Sequence, residues 1–171
     1  MDELTIEPII GQGAAIERAL LALNNAHASQ TSHLTPERWA ELVGRAFAAD
    51  CNMPPASLLI AFDQDADYDS PNFEWFRDRL SRFVYVDRII VGAGHQGRGL
   101  ARRLYQGLFA KALKESHEAV VCEVNLIPEN PASDAFHARL GFTEMGRSTV
   151  PGSTKQVRYL NRQLSGDDAI C

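Results

Sequence analysis

An α/β chain built on a central mixed β-sheet flanked by helices is predicted by three observations. Short apolar runs rich in β-branched residues alternate with segments whose apolar residues recur at helical spacing. A glycine-rich turn joins one run, ending at Val91, to a segment in which Leu100, Leu104, Leu108 and Ala112 repeat every fourth position. A further apolar run, Ala119 to Leu126, comes after that helix, so the two strands can lie parallel through a right-handed crossover.

Taken in order, Leu4 to Ile10 reads as a strand, and Ile16, Leu20 and Leu23 mark a helix after Gly13. Thr35-Pro36 supplies an N-cap followed by proline at the first helical position. It opens a helix whose apolar face is Trp39, Leu42, Val43, Ala46 and Phe47. The pair Pro54-Pro55 ends any regular element beyond that helix. Ala56 to Phe62 is a short strand, and a loop-like stretch leads to a longer one, Arg82 to Val91. The leucine-spaced helix runs to about Ser116, and after Ala119 to Leu126 the runs Phe142 to Val150 and Gln156 to Leu160 complete the mixed sheet. Residues 1–164 read as one domain, with Ser165 to Cys171 as a loose tail.

Composition narrows the function classes. A chain of 171 residues, 45% hydrophobic and 23% charged, can bury a sizeable core. A net charge of −5 argues against a nucleic-acid partner, which needs a basic surface. Cys51, Cys122 and Cys171 are odd in number and lack C-x-x-C spacing, so neither a disulfide framework nor a zinc site is indicated, and a reducing cytoplasm fits. The N-terminus lacks the pattern of a signal peptide, and no apolar run approaches the ~20 residues that span a bilayer. His27 and His33 read as surface residues, and no metal is expected.

The turn Gln96-Gly97-Arg98-Gly99-Leu100-Ala101-Arg102 carries most of the functional information. A glycine-rich turn that opens a helix aims several backbone N–H groups at one point, where the helix dipole adds positive charge; this is a phosphate cradle. Arg98, Arg102 and Arg103 add fixed cations at its rim. Two glycine patterns overlap here. Gly92-Ala93-Gly94-His95-Gln96-Gly97 matches the dinucleotide fingerprint, but that fold needs more βα units than the rest of the chain provides and an acid at the end of the second strand. Glu123 lies in the middle of the next strand instead.

The second pattern is Gln96-x-x-Gly99-x-Ala101 after an apolar strand, and it resembles the acyl-CoA pyrophosphate loop of the GNAT superfamily of N-acetyltransferases. An independent block, Asn130-Pro131-Ala132-Ser133-Asp134-Ala135-Phe136-His137-Ala138-Arg139-Leu140-Gly141-Phe142, is similar to that superfamily's asparagine and helix ending in Leu-Gly-Phe. The resemblance covers roughly residues 82–150. It implies a sheet of about six to seven strands with two strands splayed into an acyl-CoA cleft. It also implies acetyl-CoA as acyl donor, transfer to a primary amine of a small molecule or peptide, and a dimer as a common assembly. Main-chain groups at Ile89, Ile90 and Val91 would hold the pantetheine arm, one N–H binding the thioester oxygen as it becomes an oxyanion. Gln96, Gly97, Arg98, Gly99, Leu100, Ala101 and Arg102 would hold the pyrophosphate, and Asn130 the pantetheine or phosphate region. A CoA-binding module without catalysis is the alternative.

Transfer to an amine requires a proton acceptor, because a free alkyl ammonium has a pKa near ~10. Glu123 fits: a carboxylate within Val120-Val121-Cys122-Glu123-Val124 is costly unless it faces a polar cleft, a salt bridge or solvent. Asp87, on a face with Tyr85 and Ile89, fits either a substrate ammonium or a neighbouring arginine. His137 stands where many superfamily members carry the tyrosine proposed to protonate the CoA thiolate; an imidazole can do that job, or can simply pack. Asn130 can equally N-cap the helix that Pro131 opens. Asp63-Gln64-Asp65-Ala66-Asp67-Tyr68-Asp69 lacks the glycine and glutamate of a calcium loop and reads as solvated. With the aromatic stretch Phe73-Glu74-Trp75-Phe76 it would also suit a cationic acceptor.

Overall fold

The structure is a computed structural model that describes residues 5–169. Its elements run β1 (Thr5–Pro8), α1 (Ala14–Ala26), α2 (Pro36–Arg45), β2 (Ala48–Met53), β3 (Ser57–Asp63), α3 (Pro71–Arg77) and β4 (Phe83–Val91). They continue with α4 (Leu100–Lys114), β5 (Ala119–Ile127), α5 (Pro131–Arg139), β6 (Thr143–Thr149) and β7 (Gln156–Gln163). The strands form a seven-stranded mixed sheet in the order β1-β2-β3-β4-β5-β7-β6. Leu4 of the expected first strand, with Ile170 and Cys171, lies outside the described residues. The chain divides into two compact units, residues 5–66 with 86–108 and residues 67–85 with 109–169.

In the first unit β1, β2 and β3 form an antiparallel meander, with Thr5 opposite Met53 and Asp50 opposite Leu59. Ser57 to Phe62 is buried at every position, which is why β3 reads as a continuous apolar run. Helix α2 is capped as its sequence predicts: Thr35 accepts from the Arg38 N–H at 3.2 Å, and Trp39, Leu42 and Val43 are buried. The helix ends at Arg45, because Ala46 turns to an extended conformation and leads into β2. That strand, Ala-Ala-Asp-Cys-Asn-Met, carries no β-branched residue to announce it. Its buried Asn52 closes the β2–β3 connection, accepting from the Ala56 N–H at 3.0 Å and the Ser57 hydroxyl at 2.7 Å.

In the second unit β4 starts parallel to β5, with Phe83, Val84 and Tyr85 opposite Ala119, Val120 and Val121. Strands β5, β7 and β6 continue antiparallel. The loop-like stretch before β4 contains helix α3, capped by Ser70 with Pro71 at its start, and its Phe73 and Phe76 are fully buried. These rings pack with Phe83 and Tyr85 at centroid separations of 5.8 to 6.3 Å. Two of the aromatics expected to meet an acceptor are therefore core residues. Residues 165–169 are tied down: Arg162 makes a bidentate pair with Asp168 at 2.7 and 2.9 Å, donates to the Leu140 carbonyl at 2.7 Å and covers the Phe109 ring.

Strand β6 has a register shift between Glu144 and Gly146, and the Gly146 backbone lies against the Trp75 indole. A Cβ at Gly146 would sit 2.6 Å from Trp75 Cζ2. Gly44, in helix α2, has open space where its Cβ would lie, apart from its chain neighbours and its own helix backbone. Gly146→Ala is therefore expected to destabilise by about 1–3 kcal/mol, while Gly44→Ala should stabilise by about 0.5–1 kcal/mol. Urea unfolding of the two variants checks both signs.

Candidate active site

The glycine-rich turn lies between a short 3-10 helix, Ala93–His95, and helix α4. Gly97 and Gly99 have φ of +74° and +76°, conformations that side-chain-bearing residues rarely adopt. Gly92, at φ −56°, does not need such freedom, and Gly94 has no positive φ. The backbone thus uses the glycines of Gln96-x-x-Gly99-x-Ala101 and not the first two of the dinucleotide pattern. The Arg103 N–H bonds to the Gly99 carbonyl at 3.0 Å, so Gly99 caps α4 and the N–H groups just after it precede the helical ladder. Leu100 is buried and anchors the turn; Gln96, Gly97, Arg98, Gly99 and Arg102 are exposed, and Ala101 is half-buried. Arg98 reaches back to His95 Nδ1 at 3.0 Å.

Upstream on β4, Ile90 is buried and Ile89 and Val91 are half-buried, while the Gly92 N–H bonds to the Ala56 carbonyl at 2.8 Å. Asp87 is paired with Arg88 at 2.6 Å, and the Asp87 and Arg88 side chains are only 8% and 4% exposed. Arg88 also donates to Asn24 Oδ1 at 2.8 Å and to the Ser32 hydroxyl at 3.4 Å. Asn24 in turn donates to the Ser32 carbonyl at 3.0 Å, and Asn25 brackets the N–H and carbonyl of Leu34. Of the two roles open to Asp87, this geometry takes the ion pair, which neutralises a guanidinium buried beside the connection from α1 to α2.

Glu123 has a different environment. Its Oε1 accepts from Asn72 Nδ2 at 3.0 Å and from the Tyr85 hydroxyl at 3.1 Å. The Asn72 carbonyl oxygen accepts from the Tyr159 hydroxyl at 2.9 Å. Tyr159 lies directly opposite Glu123 in the β5–β7 ladder and stacks on Trp75 at 4.0 Å and 19°. Arg79 covers the Trp75 ring at 3.9 Å. Burial pushes the Tyr159 hydroxyl up, opposed by a hydrogen bond with Ser148 and by the Arg79 charge and aided by the Glu123 charge. The sequence singles out Glu123 but not its neighbours Asn72 and Tyr159. The signal for Asn72 was Ser70-Pro71, the same cap-and-proline pair that announced α2 at Thr35-Pro36.

In helix α5, Asn130 is the N-cap, accepting from the Ser133 N–H at 3.2 Å. His137 is 4% exposed and packs edge-to-face with Phe136 and Phe142 at 5.3 Å. Its Nδ1 lies 2.8 Å from the Ser133 carbonyl, which can only accept, so the proton sits on Nδ1. Burial pulls the imidazole below its ordinary value, against smaller raising effects of Ser133 and Asp134. Cys51 is buried and its thiol is pushed up to about 11 by burial, with Asp50 and Glu7 adding to it. No helix among the described residues is long and apolar enough to cross a membrane.

The model of the acetyltransferase (GNAT) family matches residues 72–142, which span α3, the glycine turn, Glu123 and the Asn130 helix. L-2,4-diaminobutyric acid acetyltransferase of Wolinella succinogenes is 28% identical over 108 residues, covering 57% of this chain and 62% of that relative. A chain in the crystal structure of the NatC complex bound to Gag peptide and CoA superposes with a TM-score of 0.74 at 16% identity, covering 95% of this chain and 99% of that one. The structure of yncA from Salmonella typhimurium with its cofactor acetyl-CoA gives a TM-score of 0.69 at 19% identity, with 95% of each chain covered. Over residues 72–142 the chain is therefore similar to the acetyltransferase (GNAT) family, and its seven-stranded mixed sheet has the fold of these solved structures.

Proposed function

We propose that this protein transfers the acetyl group of acetyl-CoA to a primary amine of a small molecule or peptide. The observation that carries the reading is the turn at the head of α4, where Gly97 and Gly99 take positive φ and leave their Cβ positions open. Such a turn lets a pyrophosphate approach the backbone, and Arg98 and Arg102 supply cations at its edge. Main-chain groups of Ile89, Ile90 and Val91 are assigned to the pantetheine arm and to the developing oxyanion. The Asn130 side chain serves its own helix N-terminus and is assigned to the same arm.

Glu123 is assigned as the base. Its Oε1 accepts from Asn72 and Tyr85, and its carboxylate would take a proton from the acceptor ammonium. The freed amine attacks the thioester carbon, the C–S bond breaks, and the departing thiolate takes up the proton released from the amine. His137 is assigned a packing role, because in its neutral form the only ring proton is already given to the Ser133 carbonyl. A cationic acceptor is supported by the likeness to a diaminobutyric acid acetyltransferase. A reducing cytoplasm suits the buried thiols of Cys51 and Cys122.

Three measurements test these assignments. Gly99→Val should raise the Kd for acetyl-CoA at least about tenfold by calorimetry, since a β-branched residue resists positive φ and its methyls would fill the phosphate approach. Glu123→Gln should lower kcat by about 10²–10⁴ and leave acetyl-CoA affinity unchanged; full turnover in that variant removes the base from this carboxylate. His137, neutral in the folded protein, costs stability where the unfolded chain binds a proton and the folded chain does not, that is below about pH 6.5. Wild type should therefore lose stability between pH 7 and pH 5.5 relative to His137→Phe, and parallel stability curves would contradict a neutral buried ring.

A further inference from the structure

Glu123 is held by more of the fold than base chemistry requires, and we infer that Asn72 and Tyr159 are positioning residues that fix the orientation and charge of its carboxylate. The inference rests on the reading of Glu123 as the base. An amide can lie either way round. Here the Tyr159 hydroxyl donates to Asn72 Oδ1 at 2.9 Å, which leaves Nδ2 directed at Glu123 Oε1 at 3.0 Å. A flipped amide would set its oxygen against the carboxylate, acceptor against acceptor. The carboxylate, which can only accept, sets the amide orientation, and the Tyr159 hydroxyl, donating to Oδ1, holds the amide in that place.

Tyr159 is itself fixed. It is 2% exposed, stacked on Trp75 at 4.0 Å and met edge-on by Phe76 at 5.1 Å. Trp75 reaches this place because Gly146, at the register shift of β6, has no Cβ. A line of contacts thus runs from Gly146 through Trp75, Tyr159 and Asn72 to the carboxylate, every member within residues 67–85 and 109–169. The polar and titratable groups turned toward Glu123 include Asn72 from α3, Tyr85 from β4 and Tyr159 from β7, with Arg79, after α3, acting on Tyr159. Neutral donors on a half-buried carboxylate favour its ionised form by hydrogen bonding. Asp87 is held differently, by the charge of Arg88 at 2.6 Å.

The test needs no acceptor. The Glu123 side-chain carboxyl is followed by carbon NMR as a function of pH, with its resonance assigned by its loss in Glu123→Gln. Asn72→Ala removes the amide donor and should raise the titration midpoint by about one pH unit. Asn72→Asp, which sets a like charge there, should raise it further. Tyr159→Phe keeps the stacked ring, removes only the hydroxyl and should shift the midpoint in the same direction by less. Because Tyr159→Phe preserves the packing, it decides the matter even if Asn72→Ala fails to fold. Unchanged midpoints in folded Asn72→Ala and Tyr159→Phe would overturn the inference. Failure of the base assignment would show separately, as full turnover in Glu123→Gln.

Discussion

A carboxylate in the middle of a buried strand is costly without hydrogen-bond partners, and Asn72 and Tyr85, held by the packing within residues 67–85 and 109–169, supply two donors to Glu123 Oε1. Asn72 can reach Oε1 only because Ser70 and Pro71 start helix α3 where they do, and α3 stays there because Phe73 and Phe76 are fully buried against Phe83 and Tyr85. Tyr85 supplies the second donor from β4, whose first three residues pair with β5 in the parallel ladder that also places Glu123. The hairpin of β6 and β7 brings Tyr159 opposite, and the missing side chain at Gly146 admits Trp75 behind it. Helix and strand each donate to one carboxylate oxygen, and the hairpin's tyrosine holds the helix's amide.

The other unit handles a buried charge by another physical route. Arg88 is 5% exposed, and its guanidinium spends its donors on Asp87, Asn24 and Ser32. The charge is cancelled by a counter-ion, and the remaining donors pin the connection from α1 to α2. An ion pair of this kind is at rest as an ion pair. At Glu123 the groups that donate to Oε1 are instead the Asn72 amide and the Tyr85 hydroxyl, both neutral. That contrast underlies the proposal that Glu123, and not Asp87, takes the proton, although both are acids inside apolar strands.

How far the sequence spoke for itself depended on whether local chemistry or long-range packing decided each element. Strands β3, β4 and β5 are rich in β-branched and aromatic residues, and helix α4 repeats its apolar positions every fourth residue, so both periods were legible. The turn at Gly97 and Gly99 was legible because positive φ leaves glycine almost no substitutes. Strand β2 was not, since Ala48, Asp50 and Asn52 have no intrinsic preference for strands and pairing with β1 and β3 imposes the conformation. Helix α3 is seven residues long, too short for a period to show, and only its cap marked it. Glu123 stood out as an acid among valines, but its partners Asn72 and Tyr159 lie 51 and 36 positions away and no spacing rule connects them.

The most direct measurement is a thermal-shift titration with acetyl-CoA, CoA and NADH side by side. A ligand that binds only the folded protein stabilises it by RT ln(1 + [L]/Kd), about 2.7 kcal/mol at a hundredfold excess over Kd. A rise in Tm with acetyl-CoA and CoA and none with NADH is the expected result, because positive φ falls at Gly97 and Gly99 of the proposed acyl-CoA turn and not at Gly92 or Gly94. A rise with NADH alone, or no rise with any of the three, would contradict the assignment of that turn and the transfer reaction built on it.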